Sequence, residues 1–229
     1  MHIRDLSRFL FELSENNNRA WFVMNKPRYD ILRAEFLQLV TELITNLSKF
    51  DPAIAGCDPK KAVFRINRDV RFRADKSPYK TTFSASILPS GRKKPSEGGG
   101  PAYYFQMDAT GRLFFAVGEY MPPSDRLRAI RNHIVADTAG FSKMLKNKAL
   151  KQTFGTLQEE GKLVRPPKGF DAEHPCVEQL KLKSFMVWTE CPLDGMDTEQ
   201  LQETLVKGFK SAYPLVSWLR AVPYSAASA

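Results

Sequence analysis

The chain has 229 residues, of which 43% are hydrophobic and 26% are charged, and its net charge at pH 7 is +9. This composition is typical of a soluble globular protein with enough apolar residues for a core. No apolar run approaches the ~18 residues of a membrane span, and Arg4 and Asp5 interrupt the first apolar pattern, which is not typical of a signal peptide. Three cysteines without C-x-x-C spacing indicate reduced thiols and a cytoplasmic location.

The positive charge is concentrated in one part of the chain. Residues 60–94 include 11 basic and 2 acidic residues, so this window alone has a charge of +9 and the remainder sums to zero. A local basic excess is compatible with nucleic acid, acidic lipid or anionic metabolites as partners. The charge therefore indicates where a binding site would lie, but not which ligand it would take.

Two amphipathic helices are predicted within the first fifty residues. In the first, Leu6, Phe9, Leu10 and Leu13 recur at i, i+3, i+4 and i+7. The second begins near Pro27, a favourable first-turn residue, and continues to about residue 49. The segment between the two apolar stripes is rich in polar groups that lie beside a helix N-terminus, a position that favours anions.

From residue 62 the apolar period changes from that of a helix to that of a strand. Strands are predicted at about 62–67, 81–89, 102–109, 112–121 and 184–189. Further helices are predicted after Ser124 and after Thr198, each of which can cap a helix N-terminus. The fold class is therefore α+β, with a mostly antiparallel sheet of about five strands packed with N-terminal, middle and C-terminal helices.

One domain is predicted over residues 1–221, with a disordered tail at 222–229. The polar stretch 90–101, S-G-R-K-K-P-S-E-G-G-G-P, lies inside the strand series and has too few apolar residues to pack. It is therefore predicted to be a mobile hairpin loop rather than a linker between domains.

Four motifs follow one another along the chain: N-N-N-R-A-W-F-V-M-N-K-P-R-Y, F-R-I-N-R-D-V-R-F-R-A-D-K-S-P-Y-K-T, G-F-D-A-E-H-P and L-K-S-F. On these motifs the chain resembles a widespread microbial family described as a conserved domain of unknown function, over roughly residues 3 to 219. One departure is G-E-Y-M-P at 118–122, where a more glycine-rich segment is expected. The resemblance implies the fold and the boundaries, but it implies no reaction, ligand or catalytic residue.

The longest motif, at 63–83, combines six basic side chains with two aspartates. Asp69 and Asp75 can each hold one or two Arg or Lys side chains by charge-assisted hydrogen bonds, which still leaves a cationic excess. Arginine presents a planar fork that matches phosphate or carboxylate, so such a pocket suits an anionic ligand. The predicted ligand-binding residues are Arg65, Arg68, Arg71, Lys76, Tyr79 and Lys80 of the motif, with Arg19, Asn25 and Lys26 of the second polar segment. The alternative interpretation is that the Arg–Asp pairs only fix a loop onto the sheet.

Three residues are candidates for acid–base chemistry. They are Asp69, Asp75 and His174, the last with Asp171 three residues before it as an orienting carboxylate. A hydrogen bond from His174 that only tethers a loop is the alternative. Scattered His and Cys residues predict no metal site, and no nucleotide-binding or nucleophile motif indicates a cofactor, so the sequence does not decide whether the protein is an enzyme.

Three functions fit these residues. The first, which we favour, is the binding of a phosphorylated or carboxylated small molecule in a cationic cleft, because acids interspersed with bases indicate a defined geometry. The second is a nucleic-acid-binding module, supported by the basic loop 92–94 and by Tyr79, Tyr103 and Tyr104, whose rings can stack on bases. The third is a scaffold for a protein partner. No membrane partner is expected, and the sequence does not indicate an oligomeric state.

Overall fold

The structure, a computed structural model, describes residues 1–71, 74–92 and 94–224. Outside the described residues lie Phe72 and Arg73 of the longest motif (63–83), Lys93 of the basic loop, and residues 225–229 of the predicted tail. Within the described part, no helix has the length and apolar character needed to cross a membrane.

The described residues form α-helices and one antiparallel sheet with the strand order β1-β2-β3-β4. The helices are α1 (Ile3–Glu15), α2 (Arg19–Met24), α3 (Lys26–Ser48), α4 (Pro59–Ala62), α5 (Ser124–Ala136), α6 (Thr138–Leu145), α7 (Lys148–Phe154), α8 (Val177–Leu180), α9 (Thr198–Ser211) and α10 (Tyr213–Ala221). The strands are β1 (Thr82–Ile87), β2 (Ala102–Asp108), β3 (Arg112–Glu119) and β4 (Phe185–Pro192). The predicted α+β class is thus confirmed, with four strands among the described residues in place of about five.

The strand predicted at 62–67 is wrong, and the reason lies at its start. Asp58 accepts a hydrogen bond from the Lys60 N–H and caps α4, which keeps the chain helical as far as Ala62. Beyond this point the chain is extended but pairs with β1 only through an isolated bridge from Val63 to Ala85. An alternating apolar pattern reports which face of a segment is buried, not whether a continuous ladder forms.

The described chain divides into two compact units. Unit 1 comprises Met1–Ser90, Tyr104–Phe115 and Glu190–Lys207, and unit 2 comprises Gly91–Tyr103, Ala116–Thr189 and residues 208–224. In unit 1 the apolar stripes of α1 and α3 are buried, and the Phe36 ring lies 5.4 Å from that of Phe83 and 5.5 Å from that of Phe105. The stripes predicted from the 3.6-residue period are therefore core.

Unit 2 has a core of its own. Ile130 and Ile134 of α5 are fully buried, as are Phe141 of α6 and Phe185 of β4. The Trp218 ring of α10 lies 4.7 Å from the Phe141 ring. These residues come from segments far apart in sequence, which explains why periodicity identified the elements but not their partners.

The stretch 90–101, predicted to be a mobile loop, is packed at its triple glycine. Gly98, Gly99 and Gly100 are buried, after a 3-10 turn at Pro95–Glu97. Gly100 has a φ of 88°, and a Cβ there would collide with the hydroxyl of Tyr224. Glycine is needed because an aromatic side chain from the C-terminal end occupies the space beside it.

Candidate functional site

Most of the longest motif (63–83) forms a closed hairpin, here called the arginine hairpin (residues 66–80, of which 72 and 73 are not described). Asn67 and Tyr79 form an antiparallel bridge at its base. The Arg68 N–H donates to the Pro78 carbonyl at 2.9 Å, and the Lys80 N–H donates to the Ile66 carbonyl at 2.7 Å. These two hydrogen bonds make up the bridge, and they fix where the charged side chains begin.

Asp75 accepts three hydrogen bonds from within the hairpin. Its Oδ1 accepts from the Ser77 hydroxyl at 2.6 Å and from the Ser77 N–H at 2.9 Å, and its Oδ2 accepts from Arg68 at 2.5 Å. The Ser77 hydrogen bonds, followed by Arg68, hold the pKa of Asp75 well below its usual range. A carboxylate stabilised in this way is a poor general base at neutral pH.

Asp69 holds a second arginine. Its carboxylate accepts from Arg71 Nε at 3.0 Å and from Arg71 Nη2 at 2.7 Å, which is a bidentate pair. Lys76 Nζ donates to the Val70 carbonyl at 3.0 Å, across the hairpin. Each of the two aspartates thus binds an arginine, and the Lys76 hydrogen bond further stabilises the turn.

Tyr79 joins the hairpin to the α1–α2 turn. Asn17 donates to the Tyr79 carbonyl at 3.0 Å and accepts from the Tyr79 N–H at 3.1 Å. The Tyr79 ring stacks on Phe22 with centroids 4.0 Å apart, and only 7% of Tyr79 is exposed. Tyr79, predicted to touch a ligand, is therefore a buried anchor.

The polar residues of the second segment have local partners. Asn25 donates from its side chain to the Trp21 carbonyl, and Lys26 forms an ion pair with Asp30 at 2.5 Å. Arg19 is exposed. The contacts that bring this segment to the hairpin are made by Asn17 and Phe22, and sequence reasoning assigned neither of them to the site.

Three exposed cations precede the hairpin in the chain. Lys60 and Lys61 lie in the last turn of α4, and Arg65 follows within a few residues. In the part of the chain that the structure describes, no carboxylate forms an ion pair with any of the three. These three positive charges therefore lie on the segment that leads into the hairpin, residues 60–65, here called the hairpin entrance.

An aromatic row crosses the sheet in unit 1. The Phe64, Tyr104 and Phe114 rings are half-buried, with centroids 6.1 Å and 6.2 Å apart along the row. Lys80 Nζ lies 5.1 Å from the Phe64 ring centroid, within cation–π range. The Tyr104 hydroxyl donates to Gln106 at 2.7 Å, which fixes the ring.

Of the three tyrosines predicted to stack on bases, only Tyr104 lies in this row. Tyr103 has no exposed surface and packs on Phe209 in unit 2. Sequence reasoning missed Phe64 and Phe114. Alternation along β2 and β3 could have found Phe114, because residues 104 and 114 flank the turn at 109–111 on strands that pair.

His174 acts as a tether in unit 2. Its Nδ1 accepts from the Cys176 N–H at 3.0 Å, so the neutral ring has its proton on Nε2, which lies 3.2 Å from the Thr138 hydroxyl. That hydroxyl donates to the Ile134 carbonyl at 2.9 Å. The Asp171 carboxylate accepts from the Glu173 N–H instead of orienting the imidazole. Both ring nitrogens are thus engaged in loop structure, which does not favour an acid–base role.

A buried ion pair in unit 2 was not identified from the sequence. Arg126 Nη2 lies 2.6 Å from Glu119 Oε1, and Nε lies 3.0 Å from Oε2, with Arg126 4% exposed and Glu119 fully buried. Glu119 belongs to the G-E-Y-M-P segment that departs from the expected family pattern. That departure was the only sequence signal that could have drawn attention to it.

The same arginine holds the C-terminal end of the described chain. It donates to the carbonyls of Leu219 and Val222, and the Tyr224 ring centroid lies 4.2 Å from its guanidinium. The guanidinium of Arg92 also lies 4.2 Å from the Tyr224 ring. Residues 222 to 224, which fall within the predicted tail, are thus packed on unit 2.

The described His, Cys, Asp and Glu residues include no group of three or more that could hold a metal ion. Residues 5–218 match the model of a family described as "Conserved hypothetical protein (DUF2461)". No curated protein and no solved structure matches the chain.

Proposed function

Because the chain belongs to the DUF2461 family, whose description names no reaction, we propose its function from the arginine hairpin: it binds a phosphorylated or carboxylated small molecule. The observation that carries this proposal is the distribution of charge. Asp69 and Asp75 are each occupied by an arginine, while the cations at the entrance, Lys60, Lys61 and Arg65, have no carboxylate partner among the described residues.

The hairpin supports binding of a defined geometry. Its base is closed by backbone hydrogen bonds, and Tyr79 anchors it to Asn17 and Phe22. A fixed loop loses little conformational entropy when a ligand binds, so more of the electrostatic attraction appears as affinity. The lowered pKa of Asp75 and the tethered His174 favour binding over acid–base catalysis at these residues.

Calorimetry with pyrophosphate and citrate at low and high salt tests this proposal. We expect saturable binding of one of these anions that weakens only moderately at high salt, because few charges are neutralised, and Arg65→Gln should weaken it by about fivefold, the upper range for one exposed ion pair. Arg4→Gln is the matched control, because Arg4 is an exposed arginine on α1. Equal affinity of the two variants would contradict a site at the hairpin entrance.

The aromatic row favours a second candidate, a site for single-stranded nucleic acid. Half-exposed rings beside cations are the usual platform for such strands, and stacking contributes about 1–3 kcal/mol per base. Affinity for a short oligonucleotide should then fall with salt, with a log–log slope near −0.7 per phosphate contacted. Phe64→Leu should weaken it, whereas Phe11→Leu, which changes an exposed ring on α1, should not.

The two candidates give different results in the same experiments. Binding of pyrophosphate that weakens only moderately at high salt and is unchanged by Phe64→Leu would support the small-molecule site. Binding of the oligonucleotide alone, lost at high salt and weakened by Phe64→Leu, would support the nucleic-acid site. Binding of neither would leave the Arg–Asp pairs as structural contacts and favour a protein partner.

A further inference from the structure

Unit 2 contains a cavity whose lining residues, between 142 and 187, are distant in sequence from the arginine hairpin. It is lined by residues of α6, α7, α8, β4 and the turn after α7, and its volume is about 380 Å³. Small-molecule sites are typically cavities of roughly 300–1,000 Å³ with a mostly apolar lining and a few polar groups. The size is therefore that of a ligand site rather than of a packing defect.

The inner lining is apolar. It is made by Leu145, Leu150, Leu157, Leu182 and Val187. Leu150, Leu182 and Val187 are each no more than 2% exposed, so these side chains are held in place by the core behind them. The Gln158 N–H donates to the Met186 carbonyl at 2.9 Å and fixes the turn against β4. Branched aliphatic side chains of this kind accept an alkyl chain or a ring by the hydrophobic effect.

The rim carries two lysines without acidic partners. Lys146 at the end of α6 and Lys151 on α7 are exposed, and within the described ranges neither forms an ion pair. The two glutamates of the rim are already neutralised. Lys162 Nζ lies 2.7 Å from Glu159 and 3.0 Å from Glu178, and Lys181 Nζ lies 2.6 Å from Glu178. The rim is therefore electrostatically positive towards a ligand.

Neutral polar atoms also line the cavity. The Ser142 hydroxyl is 3.6 Å from the Cys176 thiol, and both residues line the cavity with Gln179. Hydroxyl and amide groups can donate to an oxygen atom but do not compensate a full negative charge. An oxygen-bearing head group would thus find neutral donors in these side chains and positive charge in the two lysines.

We propose that this cavity binds an amphipathic carboxylate, with its apolar chain against the leucines and its carboxylate between Lys146 and Lys151. The proposal does not depend on the arginine hairpin, which lies in unit 1. A strongly hydrated inorganic anion would leave the apolar lining uncovered, and an uncharged alkyl molecule would leave the two ammonium groups without a partner. A carboxylate with an apolar body satisfies both.

Isothermal calorimetry with octanoate, hexanoate and octanol tests each part of the ligand. Octanoate should bind saturably at one site and about fifteenfold more tightly than hexanoate, because each buried methylene contributes about 0.8 kcal/mol. Octanol, which has the chain without the charge, should bind more weakly than octanoate. No binding of octanoate, or equal affinity for octanoate and hexanoate, would overturn the proposal.

Lysine variants locate the site. Lys146→Ala and Lys151→Ala should each weaken octanoate binding by up to about fivefold, and the double variant by more, while the exposed positions should leave folding intact. Lys148→Ala is the matched control, because Lys148 is exposed on α7 and does not line the cavity. If the double variant binds octanoate as tightly as Lys148→Ala does, the ligand lies elsewhere and the proposal fails.

Discussion

Arg126 connects three distant parts of unit 2. Its guanidinium pairs with Glu119 at the end of β3 and donates to the carbonyls of Leu219, Val222 and Pro223 around the end of α10. Removing the arginine would leave a fully buried carboxylate without its partner and would take a donor from each of the three carbonyls, of which that of Leu219 still accepts from the Val222 N–H. Those groups cannot reach water without opening the core.

We predict that Arg126→Ala lowers the free energy of unfolding by about 3–5 kcal/mol in urea denaturation, the cost of breaking a buried pair from one side. Arg128→Ala, at an exposed position of the same helix, should change it by less than about 0.5 kcal/mol. A loss below about 1 kcal/mol for Arg126→Ala would mean that water reaches Glu119. Replacing both partners, as in Glu119→Leu with Arg126→Met, should recover much of the loss.

Asp75 gives the hairpin a defined pH dependence. Its folded-state pKa lies below the ordinary aspartate value of 3.8, so its stabilising contribution is present above that pH and is lost as the pH falls through the folded-state pKa. A carbon-13 titration of the carboxyl should show this low pKa. Ser77→Ala should raise it, because the largest contribution comes from the Ser77 hydroxyl, whereas Ser90→Ala should not. Identical titration of Asp75 in both variants would assign the lowered pKa to the backbone N–H of residue 77 and to Arg68 instead.

At the level of elements, the arginine hairpin depends on the turn between α1 and α2. Asn17 satisfies both the N–H and the carbonyl of Tyr79, and each hydrogen bond contributes about 0.5–1.5 kcal/mol. Because 62 residues separate the partners in sequence, the pairing is visible only in the fold.

We predict that Asn17→Ala destabilises the protein by about 1–3 kcal/mol and speeds hydrogen exchange of the Arg68 and Lys80 amides, which close the hairpin. Asn17→Asp is the graded control, since its carboxylate still accepts from the Tyr79 N–H but cannot donate to the Tyr79 carbonyl. Unchanged exchange in Asn17→Ala would show that the Phe22 stacking alone anchors the hairpin.

Elements with a long, regular apolar period were predictable. The stripe of Leu6, Phe9, Leu10 and Leu13 is fully buried, and four of the predicted strands correspond to β1–β4. The extended segment after α4 was not distinguishable from a strand, because its alternation is real while its pairing is limited to bridges. Local pattern determines burial, and pairing depends on residues elsewhere in the chain.

The candidate site was predictable in charge but not in partners. The spacing of acids and bases indicated that Asp69 and Asp75 would hold arginines, and each does. Nothing local indicated that Tyr79 would be buried against Phe22, or that Glu119 and Arg126 would pair. Such contacts are set by tertiary packing, which a single sequence does not report.

At the scale of the whole molecule, the charge is asymmetric, since residues 60–94 account for all of the net +9. A clustered charge binds a polyanion more strongly than the same charge dispersed over a surface. The triple variant Lys60→Gln, Lys61→Gln and Arg65→Gln should therefore elute from a heparin column at distinctly lower salt than the wild type.

A second triple variant, with its substitutions dispersed along the chain, separates the effect of charge clustering from that of net charge. Its changes, which also remove three exposed positive charges, are Arg4→Gln, Lys168→Gln and Lys210→Gln. It should elute closer to the wild type than the clustered variant does. If the two triple variants elute together, total charge rather than the hairpin entrance governs binding to polyanions.

The two edge strands of the sheet, β1 and β4, affect the tendency of the protein to aggregate. Exposed strand edges are templates for pairing with another chain. Here the Phe64 N–H donates to the Ser84 carbonyl of β1, and the Gln158 N–H donates to the Met186 carbonyl of β4, so each edge is occupied over part of its length. A substitution that destabilises the arginine hairpin would also free the segment around Phe64, which pairs with β1. Partially opened molecules should then associate edge to edge while most of their helices are still folded.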